Sequence, residues 1–588
     1  MQPDNQKQDL DLVVLAKVLK LSKPYIKIFA FCIFLAVVMA VVANIRPFLI
    51  GTMVDDYIFK NDMDGLKKMA IIYILFVLAN VLVRYFFIYY SQVLGQSVIK
   101  DLRVKVFEHV QSLKLRYFDQ TPVGRTITRT ISDVQAINEI FTQGVLTMFA
   151  DILGIFAILG FMFYHSWRLT LVCLATLPLM IIATYIFKEK VKVSFQNVRN
   201  QISIMNSFLQ EQISGMQIVQ MFNAEKQEAK KFKEINRKYT EANLNAIEYY
   251  AIFYPVVEII SAVGLALLIW VGSRGIWNHT ISAGAFISFP LYLNMLFRPV
   301  RMIADKFNTL QMGLVAADRV FKLIERDDKI RDYGEVVKDN IRGNVKFEDV
   351  SFAYDEKTFV LKNINFELEA HKTLAIVGST GSGKTSIINI LNRFYPIQKG
   401  RIIIDNIDIK KLKLNSLRTK IAMVLQDVFL FNGTVMDNIT LRDDTMDRGE
   451  VIKASKEIGA HPFIEKLPGG YDFKITERGS NLSMGQRQLI SFVRALVINP
   501  DILILDEATS SIDTETESII QYAIEKLIEK RTSIIIAHRL STIRHADKIM
   551  VLDKGEVVET GSHDELIQNM NGHYRTLYEK QFEQSVEV

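Results

Sequence analysis

The sequence predicts a membrane-embedded all-α half with long intracellular helix extensions, followed by a soluble α/β half. Three observations predict this division. Six apolar stretches long enough to cross a bilayer fall in the first 302 residues. From residue 343 short β-branched strands alternate with helical segments. The bulk composition averages the two, with 49% hydrophobic and 23% charged residues and a mean hydropathy of +0.17.

In order, the amphipathic stretch Leu12 to Leu21 reads as a helix lying on the membrane surface. The N-terminal segment before it is polar and acidic and lacks the pattern of a cleaved signal peptide. The spans are placed at 28–50, 69–91, 140–164, 169–187, 251–275 and 281–302. Short connections join the first to the second, the third to the fourth and the fifth to the sixth. The segments after spans two and four are long and basic, carrying Arg103, Lys105, Arg125 and Arg129 in one and Lys188, Lys192, Arg199 and Lys231 in the other. Basic loops stay on the cytoplasmic side, which puts both termini and the α/β half there. The two cysteines, Cys32 and Cys173, sit in apolar runs and read as packing residues. A net charge of +6 on 588 residues gives no reason to expect nucleic-acid binding. The expected division is a membrane domain over 1–325, a charged linker over 326–342 and an α/β domain over 343–588.

The strongest local signal is Gly378, Ser379, Thr380, Gly381, Ser382, Gly383, Lys384 and Thr385, preceded by the strand TLAIV and followed by the helical run SIINILNRF. This is a complete phosphate-binding loop in its strand–loop–helix context. Its glycines let backbone N–H groups face phosphate oxygens. Lys384 reaches the β- and γ-phosphates, and the Thr385 hydroxyl joins a Mg²⁺ shell. The strand ILILDE ends in Asp506, suited to Mg²⁺, and Glu507, suited to orienting or deprotonating a water.

The run Leu482-Ser483-Met484-Gly485-Gln486-Arg487-Gln488, shortly before DILILDEATSSID, resembles the signature of ATP-binding-cassette transporters. Other marks follow the same family's order. Tyr354 is similar to its adenine-stacking aromatic, Gln426 to its Mg²⁺-sensing glutamine, Asp513 to its interdomain aspartate and His538 to its γ-phosphate histidine. In the first half, residues 122–134 and 215–225 resemble the exporter's intracellular coupling regions.

The resemblance implies a P-loop ATPase domain coupled to a six-helix exporter domain, with ATP and Mg²⁺ as cofactors. It implies catalytic roles for Glu507, His538, Gln426 and Lys384, and metal contacts from Thr385, Gln426 and Asp506. It further implies composite sites in which Ser483, Gly485 and Gln486 come from a second half-transporter, either another copy or a related chain. The family pattern has glycine where this chain has Met484. That departure is a harmless variation in a homodimer or the mark of an asymmetric pair.

Expected cargo is an amphipathic drug or a lipid, moved through the plasma (inner) membrane. An ATP-gated channel or a signalling ATPase of the same family is the alternative. Arg84, Asp151 and Glu258, within or near spans, are the first suspects for cargo contact, with Glu258 open to pairing with Arg84 instead. Arg298 and Arg301 suit either lipid phosphates or anchoring at the interface.

Overall fold

The computed structural model describes residues 12–338, 340–355, 358–506, 514–536 and 543–582, without the side chains of residues 300, 301, 303–305, 308, 514–516 and 580–582. Internal packing separates two units, Met1–Ser112 with Thr121–Asp327, and Leu113–Gln120 with Asp328–Val588.

The first unit is helical throughout. Helix α1 (Leu12–Leu21) buries Val14 and Val18 and leaves Leu12 and Val13 exposed, as its amphipathic spacing predicts. Span one is α2 (Ile26–Asn44) continued by α3 (Arg46–Thr52). Span two is α4 (Met63–Gln111), which leads into the short α5 (Leu115–Gln120). The third crossing ends in α6 (Leu146–His165). Then come α7 (Trp167–Ser214), α8 (Glu225–Trp277) and α9 (Ala283–Ile324).

Five helical stretches among the described residues are long and apolar enough to span a bilayer, and α9 contains the sixth expected crossing. With 49, 48 and 53 residues, α4, α7 and α8 reach roughly 70–80 Å at 1.5 Å per residue. A hydrocarbon core is only about 30 Å thick. Each helix therefore continues well beyond the membrane as a rod. Cys32 and Cys173 are buried, in keeping with a packing role.

In the second unit, an antiparallel sheet runs in the order β2-β1-β4-β5. Its strands are β1 (Val345–Phe352), β2 (Leu361–Leu368), β4 (Lys399–Ile404) and β5 (Ile407–Asp408). The larger sheet has the order β12-β11-β3-β10-β9-β6. It contains β3 (Thr373–Gly378), β6 (Ile421–Val424), β9 (Ile502–Asp506), β10 (Thr532–Ile536), β11 (Lys548–Asp553) and β12 (Glu556–Gly561). All neighbours there pair in parallel except β11 with β12. A minor ribbon pairs β7 (Gly433–Thr434) with β8 (Lys474–Ile475).

Side chains on a strand alternate between faces, so a sheet covered on both sides needs apolar residues at every position. β3 meets that need. Leu374 and Ile376 enter the core shared with the antiparallel sheet, while Ala375 and Val377 enter the core under the helices. β9 divides in the same way, with Ile502 and Ile504 on one side and Leu503 and Leu505 on the other.

The charged connector reads from sequence as an exposed linker, and hydrogen bonds fasten it to the second unit. Glu335 and Val336 donate N–H bonds to the Lys411 carbonyl, and Lys413 N donates back to Val336. Asp405 accepts from the backbone of Arg342 and Asn344.

Candidate functional site

Parallel strands end together, so the loops after β3, β10, β9 and β6 gather along one edge of the sheet. The phosphate-loop sequence follows β3 and leads into α10 (Lys384–Leu391). Gly383 has φ +107°, and a Cβ there would lie 2.6 Å from Leu361 Cδ2. Only glycine fits both the left-handed backbone and the contact.

Lys384 is almost fully buried at 9% exposure. Its Nζ donates to the carbonyls of Gly378 at 2.8 Å and Ser379 at 3.0 Å. Burial lowers its pKa from the ordinary lysine value, and the field of Asp506, at the end of β9, opposes that shift. Ser379, Thr380 and Thr385 are exposed beside it. Ser382 is buried, and its Oγ has no hydrogen-bond partner in the protein. An orphan hydroxyl, an ammonium and an exposed threonine hydroxyl around a glycine turn fit a nucleotide phosphate with its Mg²⁺.

Tyr354, beyond the end of β1, reaches this helix. Its hydroxyl lies 3.1 Å from Ser386 Oγ and accepts from Asn389 Nδ2 at 3.1 Å. Its ring stands edge-on to Tyr395, with centroids 4.9 Å apart. Gln426 lies exposed in the bend after β6. Glu507, which follows β9, and Asp513 and His538 lie outside the described residues.

The signature opens α11 (Met484–Val497). Ser483 is its N-cap, with Oγ accepting from Gln486 N at 3.2 Å, while Gln486 Oε1 accepts from Ser483 N at 3.0 Å. This reciprocal capping box satisfies two of the helix's unpaired N–H groups. Gly485 is buried, Met484 is half-buried in the first turn, and every hydrogen bond of Ser483 stays within its own helix start.

Sequence reasoning passed over Tyr395. It is 6% exposed, packs against Phe352 and Tyr354, and its hydroxyl donates to the Asp119 carboxylate in α5. The signal available was the aromatic pair in NRFYP after α10, which carries no partner information by itself.

Within the first unit, Asp151 pairs with Lys306 of α9. Arg84 and Glu258 are both exposed, and no ion pair among the described residues joins them, contrary to one expectation from the sequence. Phe253 is buried and stacks on Phe187 at 3.9 Å, so it belongs to the packing. Arg298 is exposed, and the Arg301 side chain lies outside the described residues.

Comparison with known proteins agrees with this reading. Residues 29–300 match the family profile of the ABC transporter transmembrane region. Residues 361–510 match the ABC transporter family profile. The chain is 40% identical over 578 residues to an uncharacterized ABC transporter ATP-binding protein, YknV, of Bacillus subtilis (strain 168), covering 97% of this chain and 95% of that one. It is 40% identical over 500 residues to a probable multidrug resistance ABC transporter ATP-binding/permease protein, YheH, of the same organism, covering 84% and 73%. An ATP-dependent lipid A-core flippase of Syntrophus aciditrophicus (strain SB) is 36% identical over 581 residues, covering 99% and 96%. With apolar spanning helices and an ATP-binding α/β unit in one polypeptide, the chain is an integral membrane half-transporter of the ATP-binding-cassette exporter family, coupling ATP hydrolysis to transport.

Proposed function

We propose that two such chains form a dimer that exports or flips an amphipathic small molecule or lipid by alternating access. The names of the multidrug and lipid A-core relatives support this cargo class. The membrane is the plasma (inner) membrane, with the ATPase half on its cytoplasmic side, in line with the basic segments that follow spans two and four. The working domains are 1–325, a connector over 326–342 and 343–588, with Leu113–Gln120 acting alongside the ATPase.

In each composite site the loop 378–385 and Lys384 hold the phosphates, and Tyr354 stacks on adenine. Thr385, Asp506 and Gln426 would hold Mg²⁺, which would supply positive charge to offset that of the nucleotide phosphates. Glu507 orients the attacking water and takes its proton, while His538 contacts the γ-phosphate and Asp513 crosses between the two ATPase domains. Ser483, Gly485 and Gln486 of one chain close over the nucleotide held by the other. Ser483 Oγ accepts from Gln486 N within the capping box but keeps its own proton to donate, and a helix start of this kind suits an anion.

One observation carries the coupling part of this reading. The segment Leu113–Gln120, which follows the spanning helix α4 in the chain, packs as part of the ATP-binding unit through Tyr395 and Asp119. The deciding experiment is vectorial uptake of a fluorescent lipid or cationic dye into sealed inside-out vesicles carrying the purified chain. Accumulation against a gradient that needs ATP, with a dimeric mass in nanodiscs, supports the pump. ATP-dependent equilibration without accumulation would indicate a channel instead. Negligible ATPase from the chain alone would indicate a second, different half-transporter and give Met484 a role in an asymmetric site.

A further inference from the structure

A cavity of about 350 Å³ lies within the second unit, where three remote pieces of chain meet. Lys114 comes from the segment before α5, Arg331 from the connector, and Arg393, Phe394, Ile397 and Lys410 from the region after α10. Backbone bonds brace this meeting point. Lys114 N donates to the Asp328 carbonyl at 2.9 Å, and Leu113 bridges Lys329.

The walls are one-sided in charge. Among the described residues, four cationic side chains line the cavity and none of the lining residues is acidic. Behind them, Arg393 Nη1 donates to the carbonyls of Ile409 at 3.0 Å and Leu412 at 2.6 Å. Its nearest carboxylate, Asp332, is 3.9 Å from Nη2 and already accepts from Leu414 N and Gly334 N. The neighbouring Arg418 donates to the carbonyls of Asn392 and Arg393. Burial lowers the pKa of both guanidinium groups, with Asp332 and Asp408 opposing it at Arg393. Arginine stays charged even so. Arg393 thus has carbonyl dipoles and two nearby carboxylates as counterweight, and Lys114 and Lys410 add positive charge over the apolar floor.

A free inorganic anion would leave Phe394 and Ile397 in contact with water, and a neutral amphiphile would leave the field unmatched. At roughly 30 Å³ per water-sized group, a space of about 350 Å³ suits about twelve non-hydrogen atoms. We infer that this cavity binds a small anionic amphiphile, with a carboxylate or phosphate head toward the cations and an alkyl chain of about eight carbons on the floor. Such a ligand bridges the connector, the coupling segment and the end of the phosphate-loop helix. It is thereby placed to tune how the ATPase answers the membrane helices. The assignment stands on the cavity itself and is independent of the transported cargo.

The test uses the full chain in lipid nanodiscs with two photoreactive probes, octanoate and octyl phosphate, each bearing a tail diazirine. Peptide mass spectrometry is expected to find label in 328–333 or 390–397, displaced by unlabelled octanoate or octyl phosphate and not by octanol. Preference between the two probes identifies the head group. The double variant Lys114→Gln, Lys410→Gln should cut that labelling at least fivefold while binding of a fluorescent ATP analogue persists. Ile397→Trp, which fills the floor, should do the same. Label confined to spanning helices, equal displacement by octanol, or unchanged labelling in ATP-binding variants would overturn the assignment.

Discussion

The Tyr395 hydroxyl donates to the Asp119 carboxylate, and the same tyrosine ring packs edge-on against Tyr354. A line of direct contacts therefore runs from the predicted adenine platform to the segment following α4. A hydrogen bond to a charged group contributes roughly 1.5–3 kcal/mol, enough to bias an equilibrium between two conformations without holding the fold.

Removing that hydroxyl should uncouple the halves before it harms the ATPase. Tyr395→Phe is expected to keep basal ATP hydrolysis within about twofold, since the ring and its packing remain. Stimulation by cargo and vesicle uptake should fall by about tenfold or more, corresponding to the loss of some 1.4 kcal/mol or more. Unchanged uptake at normal expression would exclude the contact as a coupling element.

Ser483 has two jobs that different substitutions separate. Alanine removes the cap of α11 and should cost about 1 kcal/mol in stability. Aspartate caps as well as serine but brings negative charge toward the partner's γ-phosphate. Ser483→Asp should therefore retain the melting temperature and lose ATPase by about a hundredfold. Thermal unfolding and turnover, measured on the same nanodisc samples, decide between them.

Glu507→Gln keeps the shape of the side chain and removes its basicity. Turnover should drop by two to four orders of magnitude, the usual range for a general base, while ATP binding persists and closed dimers accumulate. Near-normal turnover would assign the proton to another group. Chelating Mg²⁺ with EDTA should stop turnover in the wild-type chain without preventing assembly.

Asp151 and Lys306 form an ion pair in which both side chains are mostly shielded, at 30% and 17% exposure. Breaking a well-buried pair costs about 3–5 kcal/mol, and their partial exposure reduces this to roughly 1–2 kcal/mol. Asp151→Asn should lower the unfolding temperature by a few degrees. The swap Asp151→Lys with Lys306→Asp should recover most of it. Equal destabilisation by the swap would mean that local packing, rather than the pair, sets the effect.

The helices and the loop were legible early because their signals are local. A spanning helix needs only a long apolar run, and the 378–385 loop needs only glycines between a strand and a helix start. The alternating cores of β3 and β9 follow from uninterrupted apolar runs, which a sheet covered on both faces demands. The connector is mostly exposed, as its charge suggests, but charge alone did not show what it is fastened to. Its ties combine backbone bonds to Lys411 and Lys413 with bonds from remote N–H groups to the Asp332 and Asp405 carboxylates, partners that the local sequence does not record. Arg84 and Glu258 look complementary on paper, yet Asp151 found its partner in Lys306.

By itself, the sequence determined the order of the two halves, the long apolar helices, the phosphate loop and the family signature, because each depends on residues close together in the chain. Tertiary structure alone decided that Tyr395 meets Asp119, that Ser483 caps its own helix with Gln486, and that four cations from three distant segments enclose one cavity. Such pairings depend on where chain segments separated by tens to hundreds of residues come to rest. That is set by the summed packing of two cores, and no short motif records it.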